Sequence, residues 1–255
     1  MVIFVRKAGP ALIALALAGL FCCLGRRAKE VPRPAAGDSR VRRGWGEHGR
    51  GITDRIPGPA IYLTLDACDD RKDGFDAELV KFLISEEIPA TVFLTGRWID
   101  GNPEGAALLA GSGLFRIENH GASHLPASLG GKSAYGIRGT RSANELLAEV
   151  QGGADRIEAL SGRRPAWFRS GAAHYDDGAA DLIRSLGYEI AGFAVSLDAG
   201  ASLSAGMVYG NAMKARPGDI LLAHMNRPEK ETFEGLAPAL LELRRRGAKF
   251  AVLPD

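Results

Sequence analysis

From residue 60 onward, short apolar runs alternate with longer stretches whose apolar positions recur every three to four residues. Residues 60–66 (A-I-Y-L-T-L-D) are β-branched, aromatic and apolar, which predicts a strand. In 75–87, Leu79, Val80, Phe82, Leu83 and Ile84 fall at helical spacing, with Asp73 or Asp76 available to cap the start. The same reasoning predicts strands over 89–95, 114–118, 166–169, 188–195, 219–223 and 248–253. It predicts helices over 103–112, 142–160, 177–186, 204–215 and 232–246. Pro103 suits a first helical turn, Ser142 and Glu145 have capping-box spacing, and Gly187 and Gly247 act as stops. Gly152 and Gly153 mark a weak point in the longest helix.

Strands that alternate with helices imply parallel pairing, because parallel strands need crossover connections. No Gly-x-Gly-x-x-Gly follows the first strand, which disfavours a dinucleotide-binding fold. Seven strand–helix units fit a closed or nearly closed barrel better than an open sheet. The expected fold is an α/β distorted (β/α)7 barrel over 58–255.

The chain ahead of that rhythm differs. Arg6 and Lys7 precede an apolar run over 8–25 that includes Leu12, Ile13, Leu15, Leu17, Leu20 and Phe21. Residues 1–25 therefore read as a signal peptide or membrane anchor. Neither an A-x-A site nor a lipoprotein box is evident, since Gly19-Leu20-Phe21 precede Cys22. The expected location is periplasmic or extracellular, with inner-membrane anchoring through this segment as the alternative. Residues 26–57 are basic, hold several prolines and glycines, and read as a solvated spacer. With 32 basic and 30 acidic residues, the whole chain does not read as a nucleic-acid binder. Cys22 and Cys23 lie in the apolar segment, so Cys68 has no partner for an internal disulfide in the body.

The candidate chemistry centres on His120-Gly121-Ala122-Ser123-His124. If the chain is helical there, the two imidazoles share one face and can hold one divalent metal. Other ionisable residues fall at the ends of predicted strands: Asp66 after the first, Arg169 after the fourth, Asp198 after the fifth and His224 after the sixth. In a parallel barrel these ends face one rim, where catalytic residues collect. Trp98, the loop residues Tyr135 and Arg138, and His174 are candidates for contact with substrate.

These residues resemble the motifs of the NodB-homology polysaccharide deacetylases, carbohydrate esterase family 4. Thr64-Leu65-Asp66-Ala67-Cys68 stands for T-F-D-D, His120 to His124 for H-[ST]-x-x-H, and Phe168 to Ala172 for the arginine motif. Val195 to Asp198 and Leu221 to His224 match the last two. The resemblance implies a metal-dependent N-deacetylase that hydrolyses acetamido groups of a cell-surface or cell-wall polysaccharide. It implies Asp66 as general base, Arg169 as its partner, His224 as general acid and Asp198 as the group that holds it. It also implies His120 and His124 as ligands of a divalent metal, zinc, with cobalt or nickel also accepted. A backbone N–H near Ala172 would bind the oxyanion.

The family's second aspartate is Ala67 here. Asp69 or Asp70 is the expected third ligand, and Cys68 reads as a small residue packed at a strand end in preference to a soft ligand. The altered motifs leave two alternatives: a hydrolase of a non-sugar amide bond on the same fold, and an inactive carbohydrate-binding module.

Overall fold

The computed structural model describes residues 44–68 and 73–255. The expected signal segment, the first part of the spacer, and Asp69 and Asp70 lie outside the described residues.

Nine strands form one sheet: β1 (Ile52–Thr53), β2 (Ala60–Ala67), β3 (Ala90–Leu94), β4 (Phe115–Asn119), β5 (Trp167–Phe168), β6 (Glu189–Ala191), β7 (Val195–Ser196), β8 (Ile220–His224) and β9 (Lys249–Phe250). Their order is β7-β8-β2-β3-β4-β5-β6-β1, and β9 pairs with the opening residues of β2. Every pairing in this sheet is parallel. The chain after β1 returns to the other side of the sheet. There Ile220 N–H donates to Asp54 O (3.2 Å) and Ile56 N–H to Gly218 O (2.8 Å). The sheet thus curls into the distorted barrel the pattern implies.

The helices are α1 (Ala77–Ser85), α2 (Gly96–Gly101), α3 (Pro103–Gly111), α4 (Ala143–Ser161), α5 (Asp177–Ser185), α6 (Ala205–Ala212) and α7 (Thr232–Arg245). Local chemistry explains their starts. Asp76, Ser142 and Asp176 accept from the N–H of Leu79, Glu145 and Ala179. α2 has no counterpart in the sequence reading; Thr95 caps it by accepting from Trp98 N–H.

Along β2 the two faces separate by parity. Leu63, Leu65 and Ala67 join the apolar layer under the helices. Tyr62 belongs to the cluster inside the barrel, with Phe93, Trp167 and Ile220. Asp66 continues that inward face.

Two boundaries differ from expectation. The strand expected over 188–195 is two strands, because the chain changes partners between them. β6 pairs with β5 and β1, whereas β7 pairs with β8. The spacer expected to run to residue 57 is already part of the fold by residue 45. Trp45–Gly46 pairs antiparallel with Tyr175–Asp176, and β1 supplies a strand, because Trp45 and Ile52 are apolar anchors in a polar stretch. Among the described residues no helix is long and apolar enough to cross a membrane.

Candidate active site and metal centre

Asp66 and His224 are register partners on β2 and β8. His120 follows the last residue of β4, Arg169 follows β5, and Asp198 lies just past β7. All five expected rim residues therefore meet at the C-terminal ends of the strands, which is where a parallel barrel delivers them.

Arg169 is buried inside the barrel over Phe93, its guanidinium carbon 4.3 Å from the ring centre. One terminal nitrogen donates to Asp66 Oδ1 (2.7 Å) and Thr64 Oγ1 (2.8 Å), and the other to Gly192 O (2.8 Å). Burial alone would raise the Asp66 carboxyl. Arg169, helped by His120 and His224, outweighs it and holds the group below the usual range. Arg169 thus occupies Oδ1, and Oδ2 faces His120 Nε2 at 3.5 Å.

Asp198 is organised around His224. Its Oδ1 lies 2.8 Å from His224 Nδ1, and its Oδ2 accepts from His224 N–H (2.8 Å) and Thr232 Oγ1 (3.0 Å). The Nδ1 contact leaves Nε2 as the ring nitrogen free for other partners. Burial works against the imidazolium, but Asp198, then Cys68, holds His224 well above its ordinary value. Asp198 is itself held low: burial would raise it, and His224 and Thr232 overcome that.

The segment with His120 and His124 is a loop, so a shared helix face is not what brings the two imidazoles together. Positive φ at Gly121 (87°) and His124 (62°) folds the chain back, and the two rings meet edge to face with centres 4.8 Å apart. The start of α2 supports the loop, since Gly96 and Arg97 N–H donate to Gly121 and Ala122 O. Glu149 of α4 supports the far side. Its Oε1 accepts from Ser123 and Leu125 N–H, at 2.9 and 3.0 Å. The glycine pair that reads as a weak point in α4 has a packing role. A Cβ on Gly153 would lie 2.3 Å from Asn119 Oδ1 and 2.6 Å from the Gly121 carbonyl carbon.

The donors here suit a divalent metal. His120 Nδ1 lies 2.8 Å from Arg169 O, a carbonyl that can only accept, so Nδ1 carries the proton and Nε2 keeps its lone pair. Cys68, His120 and His124 each offer a ligand atom, all within 4.8 Å of one another. Burial opposes ionisation of the Cys68 thiol. His124, with hydrogen bonds from His120, His124 and His224, overcomes it and holds the thiol well below the ordinary range. Of the expected carboxylate ligands, Asp69 and Asp70 lie outside the described residues.

Of the candidates for substrate contact, Ala172 lies in a 3₁₀ turn (Gly171–Ala173) directly after the arginine motif, with φ 55°. Left-handed backbone at a non-glycine residue is strained and recurs at functional sites. His174 follows, its Nδ1 2.7 Å from Ala172 O. Tyr135, 78% exposed, meets His174 edge to face and Trp45 meets it at a tilt, each with ring centres 5.4 Å away. Arg138, by contrast, pairs with Glu145 at 2.6 Å. Trp98 is corrected: it is 1% exposed in the apolar layer, its Nε1–H bonded to Gly74 O, so it offers no face to a sugar. Trp45, Glu149 and Thr232 were missed by sequence reasoning. Trp45 alone had a signal, as an isolated tryptophan in a polar run.

Residues 54–191, more than half of the 255-residue chain, match the family model described as polysaccharide deacetylase. No curated protein sequence matches. Solved structures share the fold. The Bc1960 peptidoglycan N-acetylglucosamine deacetylase superposes with TM-score 0.67 at 20% identity, over 80% of this chain and 90% of that one. PdaA of Bacillus subtilis, a family 4 carbohydrate esterase, gives 0.64 at 21% identity, over 79% and 81%. BA3943 of Bacillus anthracis, a CE4 family pseudoenzyme, gives 0.64 at 20% identity; 76% of this chain is covered, and the chain spans 64% of that protein's length. A family match across β2 to β6, carried on a barrel of the same fold, makes this protein a member of the polysaccharide deacetylase family, the NodB-type carbohydrate esterases of family 4.

Proposed function

We propose that the protein is a metal-dependent N-deacetylase that hydrolyses acetamido groups of a cell-surface or cell-wall glycan. The single observation that carries this reading is the charge arrangement around the base and acid. Asp66 and His224 are neighbours on adjacent strands, and each is held in its working protonation state by its own buried partner, Arg169 or Asp198. Likeness to a peptidoglycan N-acetylglucosamine deacetylase supports the substrate class. The apolar segment 8–25 supports export, to the periplasm or beyond.

His120 and His124 would hold a divalent ion, which would supply Lewis-acid polarisation of the acetyl carbonyl. Arg169 keeps the Asp66 carboxylate ionised and fixed through Oδ1, and Oδ2 takes a proton from the attacking water. The water oxygen bonds to the carbonyl carbon, and the backbone N–H of the Ala172 turn is the proposed donor to the oxyanion. His224 then gives its Nε2 proton to the amide nitrogen as the C–N bond breaks, leaving acetate and a free amine. Asp198 holds the ring through Nδ1 while this happens. Tyr135, His174 and Trp45 form the wall proposed to meet the sugar.

A binding-only role is favoured by Ala67 in the family's second aspartate position and by likeness to the pseudoenzyme BA3943. A substrate panel separates the readings. Acetate release is expected from chitooligosaccharides or peptidoglycan with zinc or cobalt. Release only from non-sugar acetamides would move the activity to that class. Glycan binding without release, unchanged in Asp66→Asn and His120→Ala, would establish the module.

A further inference from the structure

The family's second carboxylate position is occupied by Ala67, a methyl group buried in the apolar layer that faces the helices. No ligand can come from that side chain. One residue on, the alternation of β2 brings the chain back to the side of Asp66. Cys68 stands there, half-buried and free of any disulfide.

Three observations converge on the Cys68 sulfur. Sγ lies 3.6 Å from His120 Nε2. Two ligand atoms on one tetrahedral zinc, one nitrogen and one sulfur at ordinary bond lengths, are about 3.5 Å apart. His120 Nε2 is the nitrogen with the lone pair, because Nδ1 is committed to Arg169 O. His124 completes a trio whose donor atoms all lie within 4.8 Å of one another. Asp66 Oδ1, in contrast, is committed to Arg169, which leaves that carboxylate to act as a base.

We propose that Cys68 is the third protein ligand of the metal, so that a thiolate stands in for the carboxylate that position 67 lacks. This deepens the deacetylase reading and rests on it for the need for a metal. Three protein ligands is the number a catalytic zinc site uses. A thiolate donor shifts preference toward zinc and cobalt and away from magnesium and manganese, which favour oxygen ligands.

The test is optical and needs no substrate. Apoprotein is titrated with cobalt(II), and the near-ultraviolet thiolate-to-cobalt charge-transfer band is recorded. The wild type should show the band at one equivalent. Cys68→Ser should lose it and bind cobalt and zinc at least about tenfold more weakly. Cys68→Asp should bind without the band. An Asp69→Ala, Asp70→Ala double variant should keep both the band and the affinity. Cobalt binding by the wild type with no band would overturn the assignment, as would wild-type zinc affinity in Cys68→Ser. The wild-type spectrum decides the matter even if a variant fails to fold. A band in a protein that releases no acetate would keep the ligand set and remove the deacetylase reading, so the two failures are distinguishable.

Discussion

His224, the last residue of β8, lies opposite Asp66 of β2 in parallel register. Register partners on adjacent strands share a face and a height, so the sheet itself holds these two side chains together. Each is then biased in the opposite direction. Asp66 is held ionised beside Arg169, and His224 is held protonated beside Asp198. Two titratable groups driven apart in this way suit the proposed roles of base and acid.

Asp66→Asn keeps the shape of the side chain and the acceptor for Arg169 but removes the base. Its kcat should fall about 10²- to 10⁴-fold. Zinc affinity measured by competition with a chromophoric chelator should stay near wild type, because the proposed ligands are Cys68, His120 and His124 and Asp66 Oδ1 is committed to Arg169. A loss of kcat matched by loss of metal would assign Asp66 to the metal instead.

Arg169→Met leaves the Asp66 carboxylate buried without its partner. Removing one member of a buried ion pair costs about 3–5 kcal/mol. The urea unfolding free energy should drop by that order. Arg169→Lys should recover little of it, since one ammonium cannot replace donors that reach Asp66, Thr64 and Gly192 together.

Asp198 has a folded pKa below the value near 3.9 of an unfolded aspartate. A depressed carboxyl contributes stability that is present above the unfolded value and lost as pH falls through the folded one. The gap in unfolding free energy between wild type and Asp198→Asn should therefore be wide near pH 6 and narrow below about pH 4. A gap that is flat across this range would show that the charge of Asp198 contributes nothing.

Gly153→Ala sets two effects against each other. Alanine favours the helix by about 1 kcal/mol. Its Cβ would meet Asn119 Oδ1 at 2.3 Å and Gly121 at 2.6 Å, so the loop carrying both histidines must move. The clash should win, with lower metal affinity and a lower melting temperature. Gly152→Ala, whose nearest neighbour is the Ala122 Cβ at 3.1 Å, should be milder.

Tyr135→Ala should leave stability within about 0.5 kcal/mol, because the ring is exposed. Loss of one aromatic face is worth about 0.5–1.5 kcal/mol, or about two- to tenfold in binding. KM for a chitooligosaccharide should rise by that factor with kcat unchanged, and Trp45→Ala should act in the same direction.

The long elements were legible because their chemistry is local. The apolar run of β2 and the capped, periodic helices announce themselves, and the ionisable residues at strand ends mark the rim. Features set by partners at a distance were not legible. β1 has two residues and no periodicity, and it becomes a strand because β6 lies beside it. The split between β6 and β7 is a change of neighbour that 188–195 does not record. The loop at His120 was not legible because Gly121 and His124 both take positive φ where the chain packs against α2 and α4. Trp98 is a candidate for substrate contact in the sequence, but helix α2, too short to show a pattern, buries it. The parity of β2 was readable, and counting two residues from Asp66 already puts Cys68 on the inward side.

In the proposed function, the rim of this barrel performs metal-dependent deacetylation through Asp66 and His224. Its most direct test is acetate release from chitooligosaccharides by zinc-loaded wild type, by the same protein after chelation, and by zinc-loaded Asp66→Asn. Release is expected from the first, none after chelation with recovery on adding zinc back, and release reduced at least about a hundredfold in the third. Equal release in all three, or none from the zinc-loaded wild type on any acetylated glycan, would contradict it.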